Sequence, residues 1–310
     1  MSITTGGDPS ITAAEHIGGV PAGEPQAVAP PTTQRGDIRR RFKKNRLAMV
    51  GLLVLLMIVL AAVFADVITT YEPGKVDTSA ANRRPFSEGH ILGTDRVGRD
   101  LYTDVVYGAR VSLRIGIIAG LIAASIGTVV GAISAFYGRW VDTTIMRFTD
   151  VLLSLPYILI ALAIITVVGP GERTVILVLG LLGWMGISRV LRASILQVKE
   201  TEYVDAARAL GATNRRIIFR HILPNTIQPV IVYTTLFIGA AVLSEAALSF
   251  LGVGVQRPTP AWGLMVAEGR RSLATYPHML FVPGIALSVL VTAAVFVGDG
   301  LRDALDPKLK

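Results

Sequence analysis

The chain has 310 residues, a formal net charge of +8, a hydrophobic content of 52% and a mean hydropathy of +0.56. These values are typical of a protein with several membrane-spanning helices. The absence of cysteine excludes disulfides, thiol chemistry and cysteine-based metal sites. Because the histidines are scattered without metal-ligand spacing, we expect no metal site, and we attribute the positive charge to cytoplasmic loops rather than to nucleic-acid binding.

The N-terminal part divides into a tail and a basic segment. Residues 1–34 are rich in Gly, Pro, Ala and Thr and are predicted to form a disordered cytoplasmic tail. Residues 35–68 hold a basic stretch and the first membrane helix. Only Asp37 opposes the arginines and lysines of this stretch, which predicts a cytoplasmic N-terminus. The apolar run starts too far along the chain, and is too long, for a signal peptide.

Apolar runs that approach the roughly 20 residues needed to cross a bilayer occur at about six places. They are Leu47–Ala65, Val111–Phe136, Val151–Val168, Val175–Ile187, Thr226–Phe250 and Met279–Val297. The fourth is short and rich in glycine. The sequence therefore predicts an all-α integral membrane protein with about six transmembrane helices.

The connections between these runs differ in charge. Acidic and basic residues balance in the predicted external loop 69–110, whereas the connection 188–225 is basic and is predicted to be cytoplasmic. Residues 111–300 then form a five-helix core, and 301–310 a cytoplasmic C-terminus. The charge asymmetry favours both termini inside.

Glycines mark two of the predicted helices. The second span carries Gly116, Gly120, Gly127 and Gly131 on one side. Close backbone approach at small residues stabilises helix packing in lipid, either within a bundle or between subunits. In the fourth span, the glycines from Gly180 to Gly186 predict either a bend or close packing.

No catalytic constellation is present. The sequence contains no G-x-x-x-x-G-K-[ST], H-E-x-x-H or G-x-S-x-G motif. We therefore expect no ATP site, no cofactor and no catalytic residue in this chain, and any energy source must lie in another protein.

The segment Glu202–Pro224 is polar and helix-prone, although it lies between two long apolar runs. Asp205 lies early in its helix, where an acid favours the positive end of the dipole. Ala206 and Ala207 keep one face thin, Gly211 can end the helix, and the final proline suits the first turn of the next span. The segment is interpreted either as a docking element for a soluble partner or as an ordinary interfacial helix whose arginines follow the positive-inside tendency.

The spacing of these residues resembles the EAA loop of ABC importer permeases. The matching pattern is an acid-Ala-Ala at 205–207, a glycine at 211 and Leu-Pro at 223–224. Asp205 replaces the usual glutamate and keeps its charge, and His221 occupies a position at which the family has isoleucine. The departure at His221 suggests a subfamily rather than loss of function.

Further segments resemble the C-type permeases of the oligopeptide, dipeptide and nickel group. They are Leu92–Asp100, Gly108–Leu113, Glu245–Gly254 and Pro258–Gly263. Together the matches run from about residue 40 to 307. The resemblance implies the transmembrane domain of a type I ABC importer in a bacterial inner membrane.

This resemblance also implies partners and roles. Such a permease pairs with a homologous second permease, with two ATP-binding cassette subunits that hold ATP and Mg, and with an extracytoplasmic substrate-binding protein. The loop would couple ATPase motion to transport. The coupling positions carried over are Asp205, Ala206, Ala207, Arg208, Gly211 and Pro224.

Charged residues near the outer mouth have two interpretations each. Asp95, Arg99 and Asp100 brace the external loop, or they contact the binding protein or substrate. Arg114 snorkels at the outer end of its helix, or it lines the pathway or the external mouth. Glu245, inside a span, pairs with an external arginine or faces the pathway, where it would meet a peptide amino group.

The leading hypothesis is a permease subunit for di- or oligopeptides. The first alternative is the same machine with another cargo, such as a nickel chelate. An ion-coupled carrier would need buried acids in broken mid-membrane helices, whereas the mid-span positions here are mostly apolar. A membrane-embedded enzyme would need catalytic groups that the sequence lacks.

Overall fold

The structure, a computed structural model, describes residues 34–305. Nearly all of the predicted tail 1–34, and residues 306–310 of the predicted C-terminus, lie outside this range. The helices are α1 Gln34–Lys44, α2 Arg46–Val63, α3 Ala65–Ile68, α4 Leu101–Tyr137, α5 Arg139–Leu153, α6 Tyr157–Val168, α7 Glu172–Lys199, α8 Glu202–Ala209, α9 Asn214–Arg216, α10 Leu223–Phe250, α11 Trp262–Gly269 and α12 His278–Leu305. In this range, five helices are long and apolar enough to cross a membrane, and the bent pair α5–α6 would make a sixth.

Helices α4 and α7 form the centre of the bundle and run side by side in the same direction. A Cβ atom on Gly127 would lie 2.7 Å from the Cβ of Ile187, and one on Gly180 would lie 2.8 Å from the Cβ of Ile122. Without side chains at these positions the two backbones approach closely, which maximises dispersion contacts in lipid. Close packing within this chain therefore accounts for the glycines at both positions.

Helix α10 runs antiparallel to α4 and packs against Gly116 and Gly120 of that helix. A Cβ on Gly116 would lie 2.8 Å from Val242, and one on Gly120 would lie 2.8 Å from Ile238. On α7, Gly183 and Gly186 contact aromatic rings of α10. Helix α7 is continuous from Glu172 to Lys199, so its glycines do not interrupt it and instead make room for neighbours.

The chain crosses between two ends of the bundle. The outer end carries the segments 69–100 and 251–277, and the inner end carries the segment 200–222; the names follow the orientation predicted from charge. Helix α2 is tied to α4 at the outer end, where Arg110 donates hydrogen bonds to the carbonyl oxygens of Ala62, at 2.8 Å, and Val63, at 3.2 Å. These are carbonyls of the last turn of α2, which a cation stabilises.

The third predicted span is not a single straight helix. Helix α5 ends at Leu153, α6 begins at Tyr157, and their axes are bent by 83°. Pro156 has no N–H to continue the helical ladder and disfavours a helical conformation at the residue before it. Hydropathy reads apolar residues on both sides of such a break as one run, so the predicted run Val151–Val168 covers the end of α5 and all of α6.

Two helix boundaries also differ from those of the apolar runs. Helix α4 begins at Leu101, ten positions before the predicted start, because Asp100 caps it. Helix α7 continues past the predicted end at Ile187 to Lys199, through arginines that pair with neighbouring elements. An apolar run marks only the part of a helix that faces lipid or is buried. A helix can continue beyond the run through polar residues that pair with neighbouring elements, and hydropathy does not detect that part.

Candidate coupling segment and outer braces

Helix α8 projects from the inner end on a short segment between α7 and α10. Its outward-facing residues Asp205, Ala206 and Arg208 are exposed, and Ala207 is half-buried. Asp205 and Arg208 form an ion pair of 3.0 Å on this face. Because both side chains are exposed, the pair adds little stability, and their charges remain available to a partner.

The end of α8 is built by Gly211. This residue has φ of +78°, the left-handed region that glycine enters without strain. The N–H of Gly211 donates to the carbonyl of Arg208, and the N–H of Ala212 donates to the carbonyl of Ala207, both at 3.0 Å. This pair of bonds is the Schellman motif, and it confirms the predicted helix end.

A single buried side chain anchors α8 to the bundle. Val204 is fully buried in a cluster that includes Ile195 of α7, and Ile217 and Ile222 of the turn before α10. Packing of Val204 thus holds α8 against two membrane helices, α7 and the helix that leads into α10. A displacement of α8 must therefore move these helices or open the cluster.

Pro224 lies in the first turn of α10, as predicted. A π-helical turn, Ile217–Ile222, leads directly into that turn. Proline lacks the N–H for a regular bond and its ring clashes with the carbonyl four residues before, whereas a wider turn leaves space for it. The segment thus enters the membrane as a continuous but locally widened helix.

Sequence reasoning missed the apolar part of this surface. Leu210 is 88% exposed, Phe219 63% and Tyr203 44%, and all three belong to the segment that carries α8. Large apolar side chains exposed beside charged ones are typical of a protein interface. Leu210 stands immediately before the helix-ending glycine, and no sequence signal there distinguishes an exposed leucine from a buried one.

The inner end also ties α7 to its neighbours. Arg192 donates to both carboxylate oxygens of Asp142 on α5, each at 2.5 Å, and Ser134 of α4 donates to the same carboxylate. Lys199, the last residue of α7, donates to the carbonyl of Phe136 at 2.9 Å. The helix that leads into α8 is therefore held by charge-assisted bonds to both α4 and α5.

At the outer end, Asp95, Arg99 and Asp100 brace the segment before α4. Asp95 accepts from the backbone N–H of Arg99 at 2.8 Å and from its Nη1 at 3.1 Å. Asp100 is buried, accepts from the N–H and hydroxyl of Thr103, both at 2.8 Å, and lies 2.8 Å from Nδ1 of His90. These hydrogen bonds hold the outer segment and the start of α4 together, which is the geometry that the bracing interpretation requires.

We predict that Asp100→Ala destabilises the purified protein by about 1 to 2 kcal/mol, because it removes the side-chain cap of α4. Asp100→Asn keeps an oxygen acceptor for Thr103 and is the control, expected to lose less. Thermal unfolding in detergent measures both. An unchanged melting temperature for the alanine variant would contradict the bracing role.

A second outer brace was not identified from the sequence. Arg257 donates through Nη1 to Asp104 at 2.6 Å and through Nη2 to Glu268 at 2.6 Å, and the other oxygen of Asp104 accepts from the N–H of Gly74 at 3.1 Å. Burial lowers the pKa of Arg257, but the bonds and charges of Glu268 and Asp104 outweigh it and leave the pKa above its ordinary value. Arg257 thus joins α4 and α11 as a permanent cation.

The two ionisable residues of the outer membrane region have different surroundings. Arg114 is half-exposed and pairs with Glu172 at the start of α7, at 3.1 Å, so it has a partner as well as an exposed position. Glu245 is fully buried; Ser249 donates to its Oε1 at 2.6 Å, and its Oε2 has no partner among the described residues. Glu245 therefore neither pairs with an arginine nor lines an open surface of this chain.

No three His, Asp or Glu side chains between residues 34 and 305 come together as a metal site. The charged and polar residues described above instead cluster in two places, the inner segment around α8 and the outer braces. The first set forms an exposed surface at the inner end, and the second set holds loops against the bundle.

Comparison with known proteins assigns the family. Residues 127–310 match the binding-protein-dependent transport system inner membrane component, and residues 33–85 match the N-terminal transmembrane domain of oligopeptide transport permease C. The fold is similar to that of a chain in inward-facing structures of the MetNI methionine ABC transporter, with a TM-score of 0.56 and 20% identity over 66% of this chain and 97% of that chain. This confirms the predicted fold of a type I ABC importer membrane domain.

Relatives of the chain are permeases. The dipeptide permease DppC of Alkalihalophilus pseudofirmus is 41% identical over 87% of this chain and 89% of its own length. The oligopeptide permease OppC of Bacillus subtilis is 39% identical over 88% and 90%, and the glutathione permease GsiD of an Escherichia coli strain is 39% identical over 87% and 89%. The predicted resemblance is confirmed, and the chain belongs to the family of binding-protein-dependent transport system inner membrane components, as a multi-pass membrane permease subunit.

Proposed function

We propose that this chain imports di- or oligopeptides as one of two permease subunits in an ATP-driven transporter. The similarity to dipeptide and oligopeptide permeases along 87% or more of the chain carries this proposal. The second permease is a homologue, two ATP-binding cassette subunits supply ATP hydrolysis with Mg, and an extracytoplasmic binding protein delivers the peptide. This chain contributes half of the pathway and no ATP site.

The inner end faces the cytoplasm in this proposal, and α8 enters a groove on one ATPase subunit. The contact surface consists of Asp205, Ala206, Ala207, Arg208 and Leu210. Support comes from the exposure of Asp205, Ala206, Arg208 and Leu210, and from the fully buried Val204, which anchors the same helix to the bundle. ATP-driven closure displaces α8, and the cluster around Val204 passes the displacement to α7 and α10.

The purified chain alone is expected to hydrolyse no ATP, and the complex with its ATPases, second permease and binding protein is expected to take up labelled dipeptide only when ATP is present. Proteoliposomes with and without each component measure this. A control with an ATPase subunit that cannot hydrolyse ATP separates binding from transport. Uptake driven by an ion gradient without ATPases, or uptake of a nickel chelate in place of peptide, would overturn the proposal.

Glu245 is expected to serve as a neutral hydrogen-bonding group rather than as a peptide contact. A charge that is buried without a counter-ion is costly, and here only Ser249 reaches the carboxyl group. We predict that Glu245→Gln, which keeps an acceptor for Ser249, leaves peptide uptake within roughly twofold of wild type, whereas Glu245→Leu, which removes it, lowers the stability of the protein by about 1 to 3 kcal/mol. Loss of uptake in the stable glutamine variant would instead support contact with the peptide amino group.

A further inference from the structure

A charged cleft opens at the outer end, between the two outer braces. It has a volume of about 280 Å³ and lies between the segment before α4 and the region of α11. Arg96 and Arg99 line one side, and Arg257, Glu268 and Arg271 line the other. Four arginines thus meet in one cleft, although the loop 69–110, which supplies two of them, is balanced in charge.

The acids near the cleft are already engaged. Asp95 pairs with Arg99 at 3.1 Å, and Glu268 pairs with Arg257 at 2.6 Å. Arg257 also engages Asp104, behind the cleft. These pairs neutralise the arginines that form the walls and hold both walls in place.

Three guanidinium groups keep donors that nothing in the described part of the chain satisfies. Arg96 and Arg271 are exposed, and neither forms an ion pair or a side-chain hydrogen bond with another residue in the range 34–305. The Nε–H of Arg99 is buried and also lacks a partner there. A buried donor of a charged group, such as the Nε–H of Arg99, is costly to leave unpaired. The exposed guanidinium groups of Arg96 and Arg271 can bind an acceptor without breaking an ion pair within the described residues.

We propose that the cleft is a docking site for an aspartate or glutamate side chain of the extracytoplasmic binding protein. The guanidinium fork matches the two oxygens of a carboxylate and holds it with charge-assisted bonds. The proposal rests on the proposed function, which supplies a binding protein at this end.

A protein side chain fits this surface better than a free peptide. The same outer segment exposes Phe86 to 87%, Ile91 to 59% and Val97 to 36%, and Val97 lines the cleft. Apolar side chains around unpaired arginines are the composition of a protein interface. Both walls are also pre-organised by the braces, which lowers the ordering cost of docking.

Docking at this place has a structural consequence. The cleft is lined by Leu101, the first residue of α4, on one side and by Gly269, the last residue of α11, on the other. A carboxylate held here contacts the elements that begin α4 and follow α11. Docking of the binding protein therefore acts on the outer end of α4. Helix α4 packs against α7, which leads to the inner segment.

The test uses the assembled transporter in nanodiscs and the purified binding protein. The double variant Arg96→Glu/Arg271→Glu is expected to weaken binding at least about tenfold, because like charges then face the docking acid. The wild-type affinity is expected to fall with added salt, and that of the variant to change less. Lys75→Glu, at an exposed lysine of the same outer segment that does not line the cleft, is the matched control and is expected to bind like wild type.

A second measurement uses the absence of native cysteine. A benzophenone label on Val97→Cys is expected to cross-link to the binding protein upon illumination, and the same label on Lys75→Cys is expected to do so much less. If the double variant assembles poorly, Arg96→Gln/Arg271→Gln replaces it, with a smaller expected loss of affinity.

The outcomes separate the possible failures. If both double variants bind the binding protein with unchanged affinity, the docking site is refuted. ATP-driven peptide uptake by the wild-type transporter would show that the proposed function still holds. In another outcome, the variants keep their affinity for the binding protein but take up a free peptide more slowly, while uptake of its C-terminally amidated form is unchanged. This result would assign the cleft to the carboxylate of the peptide and would also refute docking. A wild-type transporter that neither binds a binding protein nor imports peptide refutes the proposed function itself.

Discussion

Replacement of Gly211 by proline is expected to abolish ATP-driven peptide uptake while the protein remains in the membrane in normal amount. Proline fixes φ near −65°, whereas Gly211 has +78°, and it removes the N–H that bonds to Arg208. The end of α8 then opens, at a local cost of about 3 kcal/mol or more. Labelled-peptide uptake and immunoblots of the membrane fraction measure the two parts of this prediction.

The surroundings of Gly211 explain why the fold should survive. A Cβ at this position meets no atom within 4 Å, and the residue is exposed, so the bundle core is not disturbed. Gly211→Asn is the control, because asparagine tolerates the left-handed region, and it is expected to retain most of the uptake. Full transport by the proline variant would show that the geometry of α8 does not couple ATP hydrolysis to transport.

A bulky residue at Ala207 is expected to act by another route with the same result. Ala207 is half-buried at the thin face of α8, and its carbonyl accepts the bond from Ala212. Tryptophan at this position would keep the helix but widen the face that enters the ATPase groove. Gly211→Pro disrupts the end of α8, whereas Ala207→Trp leaves the helix intact. Loss of uptake in both variants would therefore show that transport requires both the geometry of α8 and the fit of its surface to the ATPase.

Replacement of Arg257 by methionine is expected to lower the free energy of unfolding by about 3 kcal/mol or more. Asp104 has a side chain only 3% exposed and would keep a charge without its partner, and Glu268 would lose its bond as well. Thermal or denaturant unfolding of the purified protein in detergent measures the change. The expected loss is large because removal of one member of a buried pair leaves the other desolvated.

Two variants show whether burial is the cause. Arg208→Met breaks the exposed pair with Asp205 and is expected to change stability by less than about 1 kcal/mol. The double variant Asp104→Asn/Arg257→Met is expected to lose less than the sum of the single changes, because no uncompensated charge remains. Equal effects of the buried and exposed pairs would contradict this account.

Much of the coupling segment was predictable because its features are local. The acid at Asp205, the helix end at Gly211 and the proline in the first turn of α10 depend on neighbours within a few positions, and the structure has the helix end and the proline where they were predicted. Exposure of Leu210 was not predictable, because a leucine beside a helix has the same pattern whether it is buried or presented to a partner.

The outer braces show the opposite case. Arg257 and Asp104 are 153 positions apart, and no periodicity or motif relates them. Asp104 was read as one charge in a balanced loop, although it lies inside α4 and is buried. Pairings of this kind depend on which helices become neighbours, so they exist only once the bundle is packed.

By itself, the sequence determined the class of protein, the approximate positions of the long apolar helices, and the polar segment around α8 with its helix end, because hydropathy and backbone preferences act over short distances. Tertiary structure alone decided that the glycines serve contacts within the chain, that Pro156 bends the third span by 83°, and that Glu245 is buried without an arginine. Each of these depends on a neighbour brought from a distant part of the chain, or on a direction that apolar composition does not encode.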